Sequence, residues 1–318
     1  MKSLAVFVSL LAMLQQAPVQ PAAAPHVQKL VINVTDNAGR FIVGLKPTDF
    51  IVEEGGVQQQ LTGFIEGSDN AISLGLLVDK STSMRLPLYV EGRQYVPAAL
   101  LAATRIGKAV VKLMRPDDEF ILMTFDEKLQ VKQNFTQDRK KIEDQLDKLR
   151  EVGNATHLYE NVVSALERMK KSKFKRRAII LITDAYDTSG KQLEELRPKI
   201  AEQEVQVFTC GLRAVFDQVP DPAAEPLFQL VLRALSIDTG GLSVAVDLPE
   251  LQNAGMADAL ITFSRILTME LRGQYTLSYN TDKSGPLASR FVRVRSTRPE
   301  LRVRLRRDND TEDKPQGK

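Results

Sequence analysis

Four short apolar runs constrain the fold of this chain more than any other feature: Ile72 to Val78, Phe120 to Phe125, Ala178 to Thr183 and Val205 to Leu212. Each is almost unbroken in apolar character. That suits strands covered on both faces, as in a parallel sheet, rather than strands with one face in water. Between them apolar residues recur at helical spacing: Ala103, Ile106, Val110 and Leu113, then Ile142, Leu146 and Leu149, then Leu158, Val162, Ala165 and Met169. Strands and helices in alternation predict an α/β unit built on a doubly wound, mostly parallel open sheet. Leu129 to Phe135 alternates weakly and reads as a short antiparallel edge strand, and a helix from Leu251 to Arg272 closes the unit.

The flanks have a different texture. From residue 26 to 70, Leu30, Ile32 and Val34 alternate with polar neighbours, Asp36-Asn37-Ala38-Gly39 reads as a turn, and Phe50, Val52, Leu61 and Phe64 follow around a Glu54-Gly55-Gly56 turn. From 273 to 307, Tyr275, Leu277 and Tyr279 alternate, as do Val292 and Val294, and Leu301, Val303 and Leu305. Arg293, Arg295, Arg302, Arg304 and Arg306 occupy the intervening positions. The pattern reads as a half-buried sheet with an arginine-coated outer face. No aromatic residues interleave with the arginines for base stacking, and a net charge of +3 over 318 residues is not that of a polycation, so nucleic acid is not an expected partner. Each flank is too small to bury a core alone. The two are expected to pair into one small sheet of a sandwich-like module, with the α/β unit of 71–272 inserted between them and a polar tail at 308–318.

The first 25 residues have the layout of a secretory signal: Lys2, an uncharged apolar run from Leu4 to Leu14, then small residues at Ala17 and Ala22 to Ala24. Cleavage is expected between Ala17 and Pro25. The run is too short for an ordinary membrane span. The expected product is exported, to the periplasm or beyond, with no membrane span after cleavage; the alternative is an uncleaved N-terminal anchor. The single cysteine, Cys210, lies within an apolar run and reads as a small buried hydrophobe.

Chemistry concentrates at the ends of two apolar runs. The first ends in Val78-Asp79-Lys80-Ser81-Thr82-Ser83, with three oxygen side chains at alternate positions, and the third ends in Ile182-Thr183-Asp184. Open α/β sheets bind ligands past the carboxyl ends of their strands, where strand order reverses. The segment Gly153-Asn154-Ala155-Thr156 leads into a predicted helix and can bring Thr156 to the same rim. Asp79, Ser81, Ser83, Thr156 and Asp184 are hard oxygen donors, suited to Mg²⁺ first, and to Mn²⁺ or Ca²⁺, but not to zinc or copper. Two hydroxyl oxygens and few direct carboxylates leave such a metal electrophilic, so an open coordination position favours a carboxylate from a partner. Residues of these types also cap helices and turns, which is the competing explanation for them. His157, Asp126 and Asp187 are expected at the rim rather than as ligands.

Asp79-x-Ser81-x-Ser83, followed by Thr156 and Asp184, resembles the metal-ion-dependent adhesion site of von Willebrand factor A (VWA) domains, over roughly residues 71 to 268. The flanking words Val34-Thr35-Asp36, Gly44-Leu45, Asp49-Phe50 and Gln274-Tyr275 are similar to an acidobacterial-type bacterial family in which such a domain sits within a β-rich frame. The resemblance implies that Ser81 and Ser83 ligate metal directly. It implies that Thr156 does so directly or on ligand binding, and that Asp79 and Asp184 act directly or through water. It implies a non-enzymatic protein whose metal recognises an acidic residue of a protein partner. The sequence departs from the family pattern at Thr82 and Ala185, where glycine is common, and this bears on loop shape. Three alternatives compete: a structural module of the cell envelope stiffened by metal, a hydrolase, and a nucleotide-binding protein. The hydrolase has no Gly-x-Ser-x-Gly and would rest on His157 alone, and the nucleotide binder lacks both Gly-x-Gly-x-x-Gly and a P-loop.

Overall fold

The computed structural model describes residues 25–305, apart from 38–39, 67–70, 86–87, 92–93, 202, 204, 214–223, 238, 249–255, 285–286 and 288–289. The expected secretory signal lies almost wholly outside the described residues. So do the polar tail, Arg306 and the first part of the predicted closing helix.

The described residues begin with four strands, β1 (His26–Thr35), β2 (Phe50–Glu54), β3 (Val57–Gln59) and β4 (Leu61–Glu66). The α/β unit follows: β5 (Ser73–Asp79), a hairpin of β6 (Leu88–Glu91) and β7 (Gln94–Pro97), α1 (Ala98–Leu113), β8 (Glu119–Phe125), β9 (Leu129–Thr136), α2 (Arg139–Leu146) and α3 (Leu158–Met169). It continues through β10 (Arg177–Thr183), α4 (Leu193–Ala201), β11 (Gln206–Arg213), α5 (Ala224–Ile237), β12 (Ser243–Asp247) and α6 (Met256–Arg272). Three strands end the described residues, β13 (Gln274–Thr281), β14 (Val292–Ser296) and β15 (Arg302–Leu305).

The central sheet has the order β12-β11-β10-β5-β8-β9, parallel throughout except for the antiparallel edge strand β9. The four apolar runs form β5, β8, β10 and β11, in which every residue is buried apart from the terminal Arg177 and Arg213. Alternate residues feed two cores. Leu74, Leu76, Val78, Ile180 and Phe208 face α1, α2 and α6, while Leu77, Ile121, Ile179, Leu181 and Val207 face α3, α4 and α5. Coverage on both faces is the reason these strands lack polar alternation. Among the described residues no helix is long and apolar enough to cross a membrane.

The flanks pair with each other in a sandwich-like module, as expected, but their strands are divided between two sheets rather than gathered in one. The first has the order β15-β1-β13-β4 and the second β14-β2-β3. Both contribute to a single core containing Leu30, Ile32 and Val34 of β1, Phe50 and Val52 of β2, and Tyr275, Leu277 and Tyr279 of β13. Phe50, Phe64 and Tyr275 form a cluster of tilted rings with centroids 5.6–5.9 Å apart. The division into two sheets follows from size: short strands bury more apolar surface by facing one another than by extending one layer. Arg293 and Arg295 stand outward on β14 between half-buried Val292 and Val294, as the alternation predicts. Arg304 departs from it. It turns inward and pairs with the buried Glu270 of α6.

This module is joined to the α/β unit at the amino ends of the parallel strands. At this end, within the α/β unit, Arg272 of α6 pairs with buried Asp118, whose Oδ1 accepts the Ile72 amide at 2.8 Å, and so fixes the point where the chain leaves for β13. Arg176 donates to Gln274 Oε1 at 2.8 Å, and Gln274 in turn donates to Gln206 at 3.1 Å. Asn33 of β1 donates to the Glu270 carbonyl at 3.1 Å. The opposite pole, where the parallel strands end, carries the loops that hold the chemistry.

Candidate metal centre

β5 and β10 are parallel neighbours, with Val78 in register with Ile182, so Asp79 and Thr183 close the two strands side by side. From β5 the chain crosses to β8 on one side, and from β10 it crosses to β11 on the other. The seam between β5 and β10 is therefore the point where strand order reverses, and a crevice forms there.

The side chains at this seam form a continuous hydrogen-bonded path. Thr183 Oγ1 donates to Asp79 Oδ2 at 2.6 Å. The Ser81 amide donates to Asp79 Oδ1 at 2.9 Å. The Ser81 and Ser83 hydroxyls are 3.0 Å apart, and the Ser83 hydroxyl is hydrogen-bonded to the Asp184 carboxylate. Four of the five expected site residues are thus joined, and Thr183 completes the path. Sequence reading did not single out Thr183. Its one signal was its place beside Asp184 at the end of the same strand.

Thr156 arrives on a third loop, itself buried and pinned through its backbone. Its amide accepts no freedom of position: it donates to Thr188 Oγ1 at 2.9 Å, while its carbonyl accepts from the Thr188 amide at 2.8 Å. The first and third loops are stitched together by Thr82, whose amide donates to the Asn154 carbonyl at 2.9 Å and whose hydroxyl donates to the Gly153 carbonyl at 2.8 Å. The departure from glycine at Thr82 is therefore a cross-loop tie. The departure at Ala185 is a strain: Ala185 has φ 62, in the left-handed region that favours glycine.

The rim residues have structural partners. Asp126 pairs with Lys80 at 2.7 Å, and its carbonyl accepts from the His157 amide at 3.0 Å. Burial alone would raise the Asp126 carboxyl, but hydrogen bonds from Lys80 and the Lys128 amide, with the Lys80 charge, hold it below the usual carboxylate range. Asp187 Oδ1 accepts the Leu158 amide at 2.7 Å at the start of α3, and its Oδ2 accepts from Ser189. His157 Nδ1 faces Glu160 at 3.6 Å, so the imidazole on which a hydrolase triad would rest is directed along α3.

The electrostatics of the seam are unusual. Asp79 and Ser81 are fully buried, and Asp184 is partly so. Burial first, and then the charge of Asp184, raises the Asp79 carboxyl to about 7, against hydrogen bonds from Ser81 and Thr183. Burial also raises Asp184, opposed by the Ser83 hydroxyl and the Tyr186 amide. Lys80, adjacent to Asp79 in sequence, is held by Asp126. Among the described residues no three His, Cys, Asp or Glu side chains cluster. The donors here are two carboxylates and three hydroxyls, a set that fits a hard oxygen-seeking cation rather than a thiophilic or imidazole-bound one. Cys210 is buried in β11, where burial pushes its thiol up and leaves it inert.

Residues 74–187 match the family model of the von Willebrand factor type A domain. No curated protein matches the chain. Among solved structures, the conserved hypothetical protein BatB from Bacteroides thetaiotaomicron is similar at 18% identity and a TM-score of 0.46, covering 63% of this chain and 98% of its own. An aerotolerance-related membrane protein from Bacteroides fragilis is similar at 15% identity and a TM-score of 0.46, with 63% and 98% covered. A von Willebrand factor type A protein from Catenulispora acidiphila is similar at 13% identity and a TM-score of 0.47, with 77% of this chain and 51% of that one covered.

Proposed function

The chain carries a von Willebrand factor type A domain, and from that premise we propose that it is an exported, non-enzymatic binding protein that uses a divalent cation, Mg²⁺ first, to hold an acidic group of a protein partner. The observation that carries the reading is the pair Asp79 and Asp184: two carboxylates brought together at a buried seam while the neighbouring lysine is committed to Asp126. Two like charges in a desolvated site repel, and a divalent cation relieves that repulsion. Ser81 and Ser83 would hold the ion directly, Thr156 directly or when the partner binds, and Asp79 and Asp184 directly or through water. When bound, the ion supplies an open position that attracts a carboxylate. The protein's own contribution is rigidity, since Thr82 and Thr188 fix the three loops relative to one another.

A second reading, in which the metal only stiffens the fold, has one observation in its favour. Asp79, Ser81 and Thr156 are all buried, as donors to a purely structural ion would be. Calorimetric titration with Mg²⁺ and Mn²⁺ of wild type, Ser81→Ala and Asp184→Ala tests the site; equal affinity in all three rejects it. Pull-down from extracytoplasmic extract with and without EDTA, with Ser81→Ala as control, separates the two readings. Metal binding without a metal-dependent partner leaves only the structural role. Export is tested by N-terminal sequencing of the mature protein, which should begin between Ala17 and Pro25.

A further inference from the structure

Tyr186 stands two residues past Asp184 with 63% of its surface exposed, a large aromatic side chain presented to solvent beside the site. The turn that presents it is held at several points. The Ala185 amide donates to Thr183 Oγ1 at 3.0 Å, and the same hydroxyl binds Asp79. The Tyr186 amide donates to Asp184 Oδ1 at 3.2 Å. Asp187 caps α3 through the Leu158 amide, and Thr188 grips the backbone of Thr156. Between these anchors Ala185 keeps φ 62, a conformation that L-residues other than glycine adopt only at a steric cost. An observed strain of this kind, over-determined by its surroundings, points to a placement that matters.

We infer that Tyr186 is a specificity-determining residue of this site, packing against an apolar side chain that neighbours the acidic residue a partner delivers to the metal. The inference rests on the metal-dependent reading above and adds the chemistry of the partner: an Asp or Glu with an aliphatic or aromatic residue beside it. A tyrosine suits this task because its ring offers a large contact area with only two side-chain torsions to fix, and its hydroxyl can remain in water. Because the turn is already rigid, little ordering is needed on binding, and the gain from covering the ring is retained in affinity. The five oxygen donors can select charge, but they cannot select what stands next to it. Tyr186 can.

The test uses the full chain and two probes: Mg²⁺ alone, and a displayed library of random seven-residue peptides panned in Mg²⁺ and released with EDTA. Released peptides should carry Asp or Glu with a Leu, Ile, Val, Met or Phe within two positions. Tyr186→Ser should bind Mg²⁺ as wild type does, yet hold those peptides about tenfold more weakly, whereas Tyr186→Phe should retain them. Acidic peptides with no apolar neighbour, or equal retention by Tyr186→Ser, would overturn the role of Tyr186 and leave the metal-dependent reading in place. Loss of Mg²⁺ binding in Tyr186→Ser would also overturn it, by showing that the residue only shapes the loop. Wild type that fails to bind Mg²⁺ would overturn both.

Discussion

Lys80 and Asp126 close an ion pair of 2.7 Å, with side chains only 15% and 13% exposed. The lysine follows Asp79 directly in sequence, yet its ammonium is bound to Asp126 at the end of β8, and it does not neutralise the buried Asp79 and half-buried Asp184 at the seam. The same Asp126 accepts the His157 amide through its carbonyl, so the pair also fixes the start of α3. Asp126→Asn is expected to free Lys80 and weaken divalent-ion binding through competition from the released ammonium, which isothermal titration with Mg²⁺ would measure.

The raised carboxyl of Asp79 makes the metal-free protein sensitive to base rather than acid in the neutral range. Its ordinary value is 3.8 and its folded value is about 7, so the folded state holds the proton more tightly than the unfolded state. Stability from this group is complete below the unfolded value and is lost as pH rises through about 7. In EDTA, melting temperature should fall by several degrees between pH 5 and pH 8. Asp79→Asn should flatten that slope, and so should saturating Mg²⁺. A wild-type melting temperature independent of pH in EDTA would contradict the assignment.

Gly153 has no room for a side chain. A Cβ built there would lie 2.0 Å from Asp126 Oδ2 and 2.9 Å from Asp126 Cβ, so movement of the carboxylate alone cannot relieve the clash. Gly153→Ala should push the Thr156 loop away from the seam. A destabilisation of about 1–3 kcal/mol in urea unfolding is expected, together with weaker Mg²⁺ binding.

Ala185 offers a two-sided test of backbone strain. Glycine accepts φ 62 without steric cost, whereas a β-branched residue does not. Ala185→Gly should be stabilising by about 0.5 kcal/mol and Ala185→Val destabilising by about 2 kcal/mol, as read by chemical denaturation. The glycine variant should also loosen the presentation of Tyr186, visible as faster amide exchange at residues 186–188.

In the β-module, Arg290 and Glu54 form a buried pair at 2.7 Å with side chains 4% and 2% exposed. Gln28 Oε1 accepts from Arg290 at 2.7 Å, and Thr281 donates to Glu54 at 2.7 Å. Removing one partner leaves a buried charge uncompensated, so Arg290→Met should cost about 3–5 kcal/mol. The double variant Glu54→Leu/Arg290→Met should recover about half of that loss, because both charges are then gone.

The parts of this molecule that could be read from sequence are those where one residue type has one physical use. Unbroken apolar runs announced β5, β8, β10 and β11, and Asp79 and Asp184 were visible because each ends such a run. β12 escaped because it is an edge strand with mostly half-buried residues and no unbroken apolar core. α4 was hidden by Pro198 within it. Partnerships were the least legible: nothing local tells Lys80 to seek Asp126, 46 positions away, or Thr82 to bind two carbonyls more than 70 positions on. That the flanks would pair in a sandwich-like module was legible, but their division between two sheets was not, because alternation specifies which face of a strand is buried, not which layer buries it.

The antiparallel pairing of β1 with β13 has a consequence for biosynthesis. The strand of residues 26–35 is the first part of the described fold to emerge from a ribosome or a translocation channel, and its partner at 274–281 is among the last. Until then the edge that pairs with β13 is unsatisfied, and its apolar face, Leu30, Ile32 and Val34, has only Leu45, Phe50 and Val52 of the same flank to cover it, without Tyr275, Leu277 and Tyr279. Pairings this distant in sequence form slowly. For the whole time the α/β unit takes to appear, the strand of residues 26–35 stays without its main ladder partner, the condition in which an unpaired strand edge is open to wrong pairing.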